Sequence, residues 1–67
     1  MDFHKGEKIT IVLRGKIKPI HATFLAWMPS LEAEDQVYLL VECKGQQRRI
    51  HDMFIGKING KTFNATA

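Results

Sequence analysis

From Lys8 to Arg14 the chain alternates residue by residue. Ile9, Ile11 and Leu13 fall on one side, and Lys8, Thr10, Val12 and Arg14 on the other. A period of two belongs to extended chain, because successive side chains of a strand point to opposite faces. The pattern therefore predicts a strand with one buried face. Gly15 and Pro19 turn the chain, and Ile20–Met28 reads as a second strand with Ile20, Ala22, Phe24 and Ala26 on one face and His21, Thr23, Leu25 and Trp27 on the other. Pro29–Gln36 is polar and acidic, and predicts a loop or a single helical turn. Val37–Cys43 carries the continuous apolar run Val37-Tyr38-Leu39-Leu40-Val41, the mark of a central, covered strand.

Turn chemistry orders the rest. Gly45-Gln46 fits the two central positions of a type II′ turn, which would set Glu42 opposite Arg49, Val41 opposite Ile50 and Leu40 opposite His51. Asp52-Met53-Phe54-Ile55 breaks the alternation as a tight turn, and Asn59-Gly60 is a type I′ hairpin signal. No segment has the apolar spacing of a long helix. The expectation is an all-β chain, a small five-stranded, strongly bent barrel. It forms a single domain over 1–67 with its core at about 8–58.

Length limits what such a barrel can do. A chain of 67 residues buries only about 60% of the surface its unfolded form exposes, so its core is marginal alone. That favours self-association, with the edges of the fourth and fifth strands, Ile50–Ile58, paired between subunits and Ile50, Phe54, Ile55 and Ile58 at the interface. The single Cys43 allows no internal disulfide, and the chain is expected to be cytoplasmic, with no membrane span. His4, His21, His51 and Cys43 lack metal-ligand spacing, so neither metal nor cofactor is expected. Cys43 and His51 fall on opposite faces of the same hairpin, which denies them the reach of a nucleophile–base pair, and the expectation is a non-enzyme.

Charge points to a polyanionic partner. Lys and Arg number 10 against 7 Asp and Glu, a net of +3, and three of the acids crowd into Glu32, Glu34 and Asp35. The rest of the surface is correspondingly more basic, with clusters at Arg14, Lys16 and Lys18 and at Lys44, Arg48 and Arg49. Tyr38, Arg49 and His51 share the second face of the central hairpin with Leu40 between them, and Trp27 stands beside Pro29. An aromatic ring, a guanidinium and an imidazole together suit a base and its phosphate. The candidate nucleotide or RNA contacts are thus Arg14, Lys16, Lys18, Trp27, Tyr38, Arg48, Arg49 and His51.

The run Ile9-Thr10-Ile11-Val12-Leu13-Arg14-Gly15, the segment Ile20–Trp27 with its small Ala22 and Ala26, and Val37–Ile58 with Gly45-Gln46-Gln47 at its hairpin resemble the Sm-like family. The Hfq-like RNA chaperones are the nearest in pattern, and YolD-like small barrels are similar. The resemblance covers roughly residues 8–58 and implies a small SH3/Sm-like barrel that forms rings by strand-edge pairing. The Tyr-Lys-His RNA-binding run of the Hfq-like proteins falls here on His51-Asp52-Met53, so uridine binding by that motif is not implied. The function expected is a non-catalytic oligomeric binding module for RNA or nucleotide. The alternatives are a phage or mobile-element sponge that holds a cyclic nucleotide between subunits, and a protein-interaction adaptor using Leu31 and Glu32–Asp35.

Overall fold

The computed structural model describes residues 2–31 and 36–63. The acidic stretch Glu32–Asp35 therefore lies outside the described residues. Six strands occur: β1 (Lys8–Leu13), β2 (Ile20–Pro29), β3 (Val37–Cys43), β4 (Gln46–His51), β5 (Ile55–Ile58) and β6 (Lys61–Thr62). A single 3-10 turn, η1 (Asp52–Phe54), stands between β4 and β5 where the alternation breaks. The sheet is antiparallel in the order β4-β3-β2-β1-β5-β6. Among the described residues no helix is long and apolar enough to cross a membrane.

Among the described residues nothing helical covers the apolar face, yet Ile11, Leu39, Val41, Ile55 and Ile58 are wholly buried. A flat sheet could not achieve that, so the sheet curls and packs its concave face on itself. Residues from β1 to β5 join one core of Ile9, Ile11, Ala22, Phe24, Leu39, Val41, Ile50, Ile55 and Ile58. Two register shifts, between Val12 and Leu13 in β1 and between Phe24 and Ala26 in β2, supply the bend. Aromatic rings add to the core beyond the strands: Phe3 lies 5.4 Å from Phe24, Phe24 6.1 Å from Trp27, and Trp27 stacks on Phe63 at 5.6 Å.

The chain is all-β, as expected, and among the described residues its sheet is six-stranded, antiparallel and open. The Asn59-Gly60 turn folds the chain back, with φ of 52° and 80° as a type I′ turn requires. Lys57 and Ile58 then pair with Thr62 and Lys61, and Phe63 donates to the Gly56 carbonyl at 3.0 Å. With β1 on its other side, β5 is paired along both edges at Lys57 and Ile58. Ile50, Ile55 and Ile58 likewise turn inward to the core, and of the four residues expected at a subunit interface only Phe54, 58% exposed, presents its side chain to solvent.

Asn59 also ties that turn to β1: its side-chain Oδ1 accepts from Thr10 N–H at 2.9 Å and its own N–H donates to the Thr10 carbonyl at 2.8 Å. Asn59→Ala loses the side-chain bond and sets an alanine at positive φ, and is expected to cost about 1–2 kcal/mol, read by urea denaturation. Asn59→Gly, which keeps the turn and loses only the bond, should cost less.

Candidate functional site

The β2 bulge decides which side chains form a site. Phe24 pairs with Val41 and Ala26 with Leu40, so Leu25 is the extra residue. Beyond it the alternation changes phase. Trp27 opposes the buried Leu39 on the core side, while Ala26 and Met28 oppose Leu40 and Tyr38 on the outer face. Strict alternation had put Trp27 on the outer face. The bulge reverses that, and the Trp27 ring is spent against Phe63 and Phe24, so it leaves the set of candidate base contacts.

The central hairpin also turns one residue earlier than expected. Cys43 pairs with Gln46, so Lys44 and Gly45 are the central residues, at φ of 53° and 79°, a type I′ turn in place of type II′. Leu39 thereby meets Ile50, Leu40 meets Arg49 and Tyr38 meets His51, and the expected pairings of Glu42 with Arg49 and Val41 with Ile50 do not form. Matching two large buried side chains, Leu39 and Ile50, outweighs matching one exposed ion pair. A slip of two residues preserves faces, so Tyr38, Leu40, Arg49 and His51 still share the outer face.

There Tyr38, Leu40 and Arg49 line a groove of about 530 Å³ with Met28, Pro29, Leu31 and Gln47. Met28 and Leu31 are exposed, Leu31 by 99%. Among the described residues Arg49 is the only ionisable cation in the lining and no carboxylate joins it. His51 stands edge-on to Tyr38 at 5.0 Å and to Phe54 at 6.2 Å. Met28, Pro29 and Gln47 were missed in the sequence, and Leu31 was expected only as a protein contact. The available signal was two apolar residues flanking a proline beside a polar loop.

The remaining candidates lie elsewhere. Arg48 pairs with Val41 and so projects from the other face of β4, exposed at the hairpin end. Arg14, Lys16 and Lys18 are exposed in the loop after β1, which meets η1 through the Arg14 N–H and the Phe54 carbonyl at 2.7 Å. No group of His, Cys, Asp and Glu among the described residues forms a metal cluster. Cys43 Sγ donates to the His21 carbonyl at 3.6 Å.

One buried acid was not foreseen. Asp52 is 1% exposed. Its Oδ2 accepts from Val37 N–H at 3.3 Å. Its Oδ1 lies 3.0 Å from His51 Nδ1 but makes no hydrogen bond among the described residues. The same Nδ1 accepts from Met53 N–H at 3.4 Å, as the cap of η1.

No family model, curated protein or solved structure matches this chain. The functional reading rests on the groove.

Proposed function

We propose that this protein is a non-catalytic binding module for RNA or a smaller nucleotide, and that the outer face of β2, β3 and β4 is its contact surface. The observation that carries this reading is the groove where the Tyr38 ring and the Arg49 guanidinium flank an apolar floor of Met28, Pro29, Leu31 and Leu40. A ring offers a base a stacking surface and a guanidinium offers a phosphate a bidentate donor. His51 adds a second ring beside Tyr38 on the same face. Arg48 and the Arg14–Lys18 loop supply longer-range attraction for a polyanion. The Sm-like reading of the fold belongs to the same proposal: β1 pairs with both β2 and β5, as a small five-stranded barrel requires, and β6 takes the edge that closure would use.

Groove size favours a compact ligand within that class. About 530 Å³ lies in the range of small-molecule sites, so capture of one nucleotide or cyclic dinucleotide is the second reading. Fluorescence titration with oligouridine and with a cyclic dinucleotide, over a salt series, separates the two. For a single strand each neutralised phosphate adds about 0.7 to the slope of log K against log salt. Arg49→Ala should lower that slope by about this amount, and Tyr38→Ala should cost about 1–3 kcal/mol of stacking. No binding of either ligand at low salt would end the proposal.

A further inference from the structure

β4 is the terminal strand of the sheet, and among the described residues nothing pairs with its outer side. In a two-residue hairpin the flanking pair, Cys43 and Gln46, is the hydrogen-bonded kind, and the kinds alternate along the ladder. Gln46, Arg48 and Ile50 thus point their backbone groups at β3, while Gln47, Arg49 and His51 point theirs outward. The outward row can accept one more strand.

A second copy of this chain is a poor occupant. The free edges are β4, with Arg48 and Arg49, and β6, with Lys61. Antiparallel pairing of β4 with itself brings guanidinium against guanidinium, and β4 with β6 brings arginine against lysine. Like charges directly opposite destabilise a strand pair. Cations on an edge also serve to discourage aggregation, but that role does not call for the exposed Met28 and Leu31 in the groove that Arg49 of this strand also lines.

We infer that the β4 edge is a docking site for an extended acidic segment of another protein, added as a further antiparallel or parallel strand. Backbone groups of Gln47, Arg49 and His51 supply the ladder, as in other strand-addition complexes. Two neighbouring acids on the incoming strand meet Arg49 on the outer face and Arg48 on the opposite face. An apolar residue two positions from the first acid then lies on the outer face opposite Gln47, at the rim of the groove. This goes beyond the nucleotide reading, because it uses the strand's backbone and gives Arg48 a direct partner.

The test is a titration of the full chain with a capped hexapeptide Val-Thr-Glu-Glu-Val-Thr, followed by amide hydrogen exchange. The expected result is slowed exchange at Gln47, Arg49 and His51, and roughly tenfold weaker binding by the same peptide N-methylated at alternate residues, since the ladder is then lost. The exposed double variant R48E/R49E should lose the acidic peptide and gain its Lys-Lys counterpart. Equal binding of the N-methylated peptide would reduce the contact to bulk charge and overturn the inference. So would slowed exchange at these amides with oligouridine but not with the peptide, or in the protein alone as its concentration rises. Groove binding of a cyclic dinucleotide, unaffected by the peptide result, reports on the proposed function separately.

Discussion

Leu39→Ala is expected to remove most of the stability of this fold. Leu39 is wholly buried between Trp27 of β2 and Ile50 of β4, where truncation loses transfer free energy and leaves a cavity. Such changes cost about 2–5 kcal/mol. A domain of 67 residues holds in total only roughly 3–10 kcal/mol. A loss of about 3 kcal/mol would lower Tm by roughly 12–24 °C at this size, and calorimetry would read it directly. Leu39→Met keeps the volume and should cost less than about 1.5 kcal/mol. If the two variants melted together, Leu39 would not be packed as described and the curled core would be wrong.

Asp52 is the second residue on which much depends. Asp52→Ala leaves the Val37 N–H without its acceptor at the start of β3 and opens a void under η1, at an expected cost of about 2–3 kcal/mol. Asp52→Asn keeps the volume and can keep an oxygen toward the Val37 N–H, so it should be much milder. Urea denaturation of the two variants reads the difference, and equal losses would mean that the Val37 bond contributes nothing.

Much of the frame could be read from residue order. Alternation at Ile9, Ile11 and Leu13 marks β1 and its inward face, the apolar run marks β3 over Val37–Cys43, and Asn59-Gly60 marks the β5–β6 turn. Tyr38, Leu40, Arg49 and His51 were placed on one face correctly even though the hairpin was centred one residue late. That error is harmless to faces because a slip of two residues returns every side chain to its own side.

Those features are local: side-chain period and turn conformation are set within a few neighbouring residues. The bulge at Leu25 is not. It is fixed by how sharply β2 must bend to bury Phe24 and Trp27 in one core, and it alone moved Trp27 inward and Met28 out to the groove. The capture of the β5 edge by β6, which keeps the sheet open, and the burial of Asp52 against Val37 also join segments distant in the chain or depend on its final curvature. Residue order thus determined the strands and their faces. Only the packed sheet decided which aromatic was spent in the core, which edge stayed free and where the groove lies, because each depends on contacts between strands rather than on the pattern within one.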